Sequence, residues 1–209
     1  MVFDIEQRLA QIEVHSTAEQ IDKLEKIVEE HLKWNRKINL SAYLDEQAVI
    51  DYQIIDSLTL LQSGLNQTSE LLDVGTGPGF PGLPLAVMCP TLETVLCDSN
   101  AKKLAFATHL VGQLKLKNVR IVAARVEELR DRRYSQMTAR AFSKLGDIMG
   151  LTSQLLDPSG VLFAMKSQKV EVEIQDAQRQ FPNASIEIQP LRHVVPEVRV
   201  IAKVMGYSQ

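Results

Sequence analysis

Three glycines, Gly75, Gly77 and Gly79, stand directly behind Leu71-Leu72-Asp73-Val74 and ahead of the apolar run Leu83 to Met88. Nothing else in the chain limits its fold so strongly. The first run reads as a buried strand, the glycines as a tight turn and the last run as the start of a helix. Glycine serves where backbone takes unusual φ/ψ values or lies against a ligand. The end of a first parallel strand is also where open α/β sheets hold their ligands.

The loop chemistry narrows the ligand. A dinucleotide fingerprint carries glycine or alanine at its third position; here that position is Phe80. Pro78 removes a backbone N–H that would otherwise face a pyrophosphate. The loop therefore suits a flat, uncharged group. S-adenosylmethionine has that character: an adenosine, a sulfonium and an amino acid, with no phosphate. An acid is then expected at the end of the next strand, to accept hydrogen bonds from a ribose. Thr94-Val95-Leu96-Cys97-Asp98 supplies it, 23 residues after Gly75.

From Leu71 onward strands and helices alternate. The patterning predicts strands over 70–74, 93–97, 119–123, 136–139 and 160–165, with helices over 82–88, 100–115, 126–131 and 144–156. Alternation at this pitch builds βαβ units and a mostly parallel sheet. Ser185 to Gln189 and Val198 to Met205 read as two further strands, an antiparallel pair at the C-terminal edge.

The stretch before Leu71 reads as helical. Phe3, Ile5, Leu9 and Ile12 fit one face of a short helix, and Thr17-Ala18-Glu19-Gln20 is a capping box. Ile21, Leu24, Val28 and Leu32 keep helical spacing, and a third helical piece runs from Asp45 to about Leu61. Residues 1–65 are thus expected to form a helical extension on one compact α/β unit, residues 66–209.

A length of 209 residues with 45% apolar content suits one domain with a small appendage. No apolar run approaches the roughly 18 residues of a membrane span, and Met1 to Glu6 lacks the features of a secretory leader. Cys89 and Cys97 read as reduced, buried thiols. The four histidines are scattered and C-x₂-C spacing is absent, so neither a catalytic triad nor a metal is expected. These features point to the cytoplasm.

Net charge is −3, but its distribution is uneven. Residues 1–30 carry eight acids against three bases, whereas residues 102–144 carry eleven bases against three acids. A basic region on a near-neutral chain suits contact with phosphates.

The run Asp73-Val74-Gly75-Thr76-Gly77-Pro78-Gly79-Phe80-Pro81-Gly82 resembles the signature of the bacterial glucose-inhibited division protein B family. Trp34-Asn35 with Asn39-Leu40, then Asp56-Ser57, Asp98-Ser99, Lys102-Lys103, Arg125-Val126-Glu127-Glu128 and Arg140-Ala141-Phe142 follow in the family's order. The resemblance spans nearly the whole chain. It implies a Rossmann-like methyltransferase sheet, S-adenosylmethionine as cofactor, and 16S rRNA or the small ribosomal subunit as partner. The implied target is N7 of a guanine in the decoding-region loop.

Beside Gly75, Gly77 and Asp98, the family pattern adds Phe80, Val126, Glu127 and Arg140 to the cofactor site. Val126 and Glu127 would lie against the adenine. Lys102, Lys103, Arg125 and Lys166 are the basic candidates for guanine O6 and flanking phosphates. The pattern also carries an arginine before the last strand, matched by Arg199 or by Arg192. Asn39 and Asp56 either meet substrate or tie the helical extension to the sheet. The chain departs from the pattern at Tyr52-Gln53, where the family usually has Arg-His, and at Ser167, where it usually has Gly.

No general base is needed for the implied reaction. Guanine N7 has an in-plane lone pair and carries no proton. Two other functions share these features. A small-molecule methyltransferase would need an enclosed pocket. A non-catalytic ribosome-assembly factor would keep the fold without the chemistry.

Overall fold

The computed structural model describes residues 5–130, 132–167, 170–191 and 199–208. Phe3, Arg192 and Val198, used in the sequence reading, lie outside them. The strands are β1 Glu70–Val74, β2 Glu93–Asp98, β3 Val119–Ala123, β4 Tyr134–Arg140, β5 Leu156–Ser167, β6 Ser185–Pro190 and β7 Arg199–Met205. They form one sheet in the order β3-β2-β1-β4-β5-β7-β6. β1 to β5 pair in parallel; β7 runs antiparallel between β5 and β6. The predicted mostly parallel sheet with an antiparallel edge is the observed one.

The central strands β1, β2, β4 and β5 are buried on both faces because both faces are covered. Leu71 joins one core cluster, while Leu72 and Val74 join the other. The first face carries α5 (Gly82–Met88), α6 (Ala101–Gln113) and the helical extension. The second carries α7 (Leu145–Thr152) and α8 (Glu171–Gln180).

The extension begins with α1 (Ile5–Gln11) and α2 (Ala18–Asn35). The Thr17 capping box forms as predicted: Thr17 Oγ1 accepts from the Gln20 N–H at 3.3 Å, and Gln20 Oε1 accepts from the Thr17 N–H at 2.9 Å. The third helical piece is continuous but not uniform. It runs through α3 (Glu46–Val49), a π turn at Ile50–Ile55, α4 (Asp56–Leu58) and a 3₁₀ turn at Thr59–Ser63. Inserted π turns recur at functional sites. Leu9, Leu24, Ile27 and Ile54 belong to the same buried cluster as Leu71, Phe106 and Ile201.

Three elements differ from the sequence reading. The expected helix over 126–131 is a single 3₁₀ turn, Val126–Glu128, after which Leu129 is extended. Val126 and Leu129 both enter the core, and no longer apolar stripe exists there to sustain a helix. α8 had no strong signal, because only Ile174 and Ala177 within it pack against the core. β5 starts at Leu156, four residues before expectation, because Asp157-Pro158-Ser159-Gly160 looks like a turn and conceals the strand.

Candidate active site

Strand order reverses between β1 and β4, so the loops that follow them diverge and leave a crevice at the carboxyl edge of the sheet. The glycine loop after β1 lines it. Gly75 has φ +65° and Gly77 φ +59°, values that residues with a Cβ avoid. A Cβ on Gly75 would run into the ring of Phe142.

Two carboxylates fix the loop. Asp73, fully buried at the end of β1, accepts the Thr76 hydroxyl at 2.6 Å and the Gly82 N–H at 2.8 Å on one oxygen. Burial pushes its pKa up to about 6, and those two bonds restrain the rise. Asp98, at the end of β2, accepts the Gly77 N–H at 2.7 Å on one oxygen and the Asn100 N–H at 2.7 Å on the other. It therefore joins the loops that follow β1 and β2.

The crevice has two lobes. The smaller, about 150 Å³, is walled by Cys97, Ala124, Val126, Glu127 and Leu151. The larger, about 780 Å³, is walled by Tyr43, Tyr52, Asp56, Lys103, Arg140 and Arg199, among others. Gly75, Asp98 and Phe142 border both. The Phe142 ring, resting on Gly75, stands between them.

The predicted cofactor residues divide between the lobes. Val126 and Glu127 line the smaller one. Gly77, Phe80 and Arg140 line the larger. Phe80 is almost wholly buried, with the His31 ring at its edge and the Arg140 guanidinium 5.7 Å from its centroid. Arg140 donates to the Tyr52 carbonyl at 2.7 Å, to Asp56 Oδ2 at 3.2 Å and to Gln53 Oε1. It thus reaches from β4 into the π turn and anchors the extension.

The basic candidates also separate. Lys103 lines the larger lobe, while Lys102 is exposed and lines neither. Adjacent helical residues point about 100° apart. Arg125 sits at the smaller lobe, 3.9 Å from the Glu127 carboxylate. Lys166 donates to the Ser143 carbonyl at 2.5 Å and to Glu173 at 2.8 Å. Arg199 Nε lies 3.6 Å from Asp56 Oδ1. Asp56, only 4% exposed, so bridges an arginine on β4 and one on β7, which ties the extension to the sheet at the wall of the larger lobe. Asn39 is exposed and lines neither lobe.

Several residues had no assigned role in the sequence reading. Asn35 Oδ1 accepts the Leu40 and Ser41 N–H groups, and the side-chain amide Nδ2 donates to the Ser41 and Tyr43 carbonyls. It shapes the loop between α2 and α3. Tyr43, Tyr52, Phe142 and Lys144 reach the larger lobe, and only the local motifs around Asn35 and Phe142 hinted at them. His31 is fully buried, its Nε2 3.2 Å from Ser41 Oγ. Burial, with Arg140's charge beside it, lowers its pKa to about 4. Cys89 and Cys97 are buried free thiols, pushed up to about 11 and about 12 by burial. No helix among the described residues is long and apolar enough to cross a membrane.

Known proteins resemble this chain in sequence and in fold. The family described as rRNA small subunit methyltransferase G matches residues 20–200. The ribosomal RNA small subunit methyltransferase G of Chromobacterium violaceum is 37% identical over 164 residues, which cover 78% of each chain. That of Neisseria meningitidis serogroup A is 40% identical over 163 residues, covering 78% of this chain and 77% of the relative. In fold, a SAM dependent methyltransferase from Aquifex aeolicus aligns over 83% of this chain and 98% of its own, with TM-score 0.61 at 16% identity. A ribosomal protein L11 methylase from Lactobacillus delbrueckii subsp. bulgaricus aligns with TM-score 0.60 at 12% identity over 77% of this chain and 79% of its own. With that sequence match running through the glycine loop, both lobes and the extension, the chain belongs to the rRNA small subunit methyltransferase G family.

Proposed function

We propose that this protein transfers a methyl group from S-adenosylmethionine to N7 of a guanine in the decoding-region loop of 16S rRNA. One observation carries the reading: a glycine corner with the Phe142 ring against it joins a small, acid-edged lobe to a large, cation-bearing one. At Gly75 the Phe142 ring already stands where a Cβ would be, so only glycine suits the corner, and its backbone borders both lobes. The cofactor fits there. Glu127 and Asp98 offer carboxylate oxygens for adenine and ribose donors, and each Asp98 oxygen keeps acceptor capacity beyond its backbone bond. Val126 gives an apolar wall.

When bound, the cofactor supplies a methyl group already activated on a sulfonium. The chain's own residues then orient and enclose. Alignment of reacting groups is worth about 7–11 kcal/mol, and guanine N7 has no proton to surrender. No side chain is therefore assigned to proton transfer. The target base leaves any stack to enter the larger lobe, where Lys103 and Arg199 face the RNA side and Arg140 holds the wall. We take the helical extension, 1–65, and the unit 66–209 to act together, because residues of both wall the larger lobe. A ribosomal RNA substrate places the activity in the cytoplasm and requires neither membrane nor metal.

The test is methyl transfer from labelled cofactor to small ribosomal subunits and to naked 16S rRNA, followed by mapping of the modified base. Label at guanine N7 in the decoding region is expected. Label on another base overturns the target; transfer to a small molecule but not to RNA overturns the substrate class.

A further inference from the structure

We propose that Tyr43 and Tyr52 form an aromatic platform that receives the extruded target base. The inference rests on the RNA-methyltransferase reading and adds to it the group that holds the base. The two rings stack almost in parallel, with centroids 4.9 Å apart and planes 6° apart. Both side chains are half-buried, and both line the larger lobe. Neither borders the smaller lobe, so the pair stands away from Val126 and Glu127.

The platform is held from behind. The Tyr43 carbonyl accepts from the Asn35 amide at 2.9 Å, and its N–H donates to Ser41 Oγ at 3.2 Å. The Tyr52 carbonyl accepts from Arg140 at 2.7 Å, and Tyr52 lies inside the π turn. Bonds from Asn35 and Ser41 nearby, and from Arg140 far along the chain, thus hold the backbone beneath both flat rings before any ligand arrives. A fixed aromatic surface extends a stack with little loss of freedom, and every base has a π face to offer it.

The surrounding charge selects a nucleotide over a bare aromatic molecule. Lys103, Lys144 and Arg199 line the same lobe. Among the described residues, neither Lys103 nor Lys144 makes an ion pair. Aromatic faces with cations around them are the recurring means of holding an unstacked base on its backbone. Glycine-corner chemistry serves the cofactor; ring-and-cation chemistry serves the RNA.

Steady-state methylation of small-subunit RNA tests the platform with Tyr52→Leu, Tyr52→Phe, Tyr43→Leu and Tyr43→Phe. Leucine keeps apolar bulk and removes the π face; phenylalanine keeps the face and removes the hydroxyl. Loss of one base stack corresponds to roughly a 5- to 150-fold fall in kcat/KM for RNA. We expect that fall in at least one leucine variant, recovery by phenylalanine at the same position, and an unchanged Kd for S-adenosylmethionine. Wild-type rates in both leucine variants overturn the platform. So does a phenylalanine variant as impaired as its leucine counterpart, or a parallel loss of cofactor affinity, which marks a structural prop. Failure of the wild-type protein to methylate any RNA overturns the underlying reading instead.

Discussion

The two lobes of the crevice are built in opposite ways. The smaller lobe is made at one sheet edge, by the end of β2, by residues that follow β1, β2, β3 and β4, and by Leu151 of α7. Its walls are backbone turns, mostly apolar side chains and the carboxylates of Asp98 and Glu127. The larger lobe joins that edge to the helical extension, and long polar and aromatic side chains from both stand around the glycine loop. Arg140 bonds to Tyr52, Gln53 and Asp56, more than eighty positions away in sequence. A site for an invariant small molecule can be set by local turns. A site that must admit and grip a polymer is assembled from separate parts of the chain.

The comparison breaks most visibly at Gly75. Valine there combines a backbone conformation disfavoured by about 1–3 kcal/mol with a clash against Phe142. Gly75→Val is expected to lower cofactor affinity more than 100-fold, an effect of about 3 kcal/mol or more. Titration calorimetry measures it, and circular dichroism confirms that the variant is folded. Unchanged affinity would mean that the Gly75 corner is not a ligand surface.

Asp98→Ala sharpens the division between lobes. Loss of hydrogen bonds to a charged group costs about 1.5–3 kcal/mol, so cofactor affinity should fall about 10- to 150-fold. RNA affinity should stay near wild type, because Asp98 carries no positive charge to lend a phosphate. Equal losses for both ligands would erase the distinction that the geometry draws.

Two buried groups, one per region, titrate in opposition. Asp73 anchors the glycine loop with its pKa raised from 3.8 to about 6. The folded state holds that proton more tightly than the unfolded chain, so this term lowers stability as pH rises from about 4 to 6. His31 in the extension is lowered from 6.5 to about 4. The unfolded chain holds that proton more tightly, so this term lowers stability as pH falls from 6.5 to about 4. In the wild-type protein the two largely offset one another. Asp73→Asn removes the first and should leave a loss on the order of 2 kcal/mol between pH 6.5 and 4.5. Urea denaturation across that range is the measurement, and parallel pH profiles for variant and wild type would contradict the assignment.

The smallest expected effect separates neighbours. Lys103 lines the larger lobe and Lys102 does not. Lys103→Ala should make the slope of log RNA affinity against log salt shallower by about 0.7–0.9, whereas Lys102→Ala should leave it unchanged. Equal slopes for all three proteins would remove Lys103 from the RNA contact.

How much of this was legible in the sequence follows from the same contrast. The glycine run, Asp98 and the Thr17 capping box each declare themselves within a few residues; the structure forms the capping box as expected and adds a contact from the Gly77 N–H to Asp98 that the sequence reading did not contain. The mostly parallel sheet followed from alternation and its antiparallel edge from two strand-like runs in the tail, but the strand order is written in no local signal. The tyrosine stack did not, because nothing local links Tyr43 to Tyr52 until a π turn shifts the helix phase. Arg140 stands out in the sequence, but its bonding to the extension needs β4 and the π turn side by side. α8 stayed hidden because its apolar stripe is narrow, and β5 because Pro158 and Gly160 imitate a turn.

The position of β7 has a consequence for how the molecule comes into being. It follows β6 in the chain but lies between β5 and β6 in the sheet. While Ser167 is emerging from a ribosome, the outer edge of β5 has no strand to meet. At about 5–20 residues per second, the roughly thirty residues between Ser167 and Arg199 take about 2–6 s to make. During that interval a long apolar edge waits open, and Arg199 has yet to reach Asp56. The buried carboxylate at the floor of the larger lobe acquires its second cation only as the sheet closes.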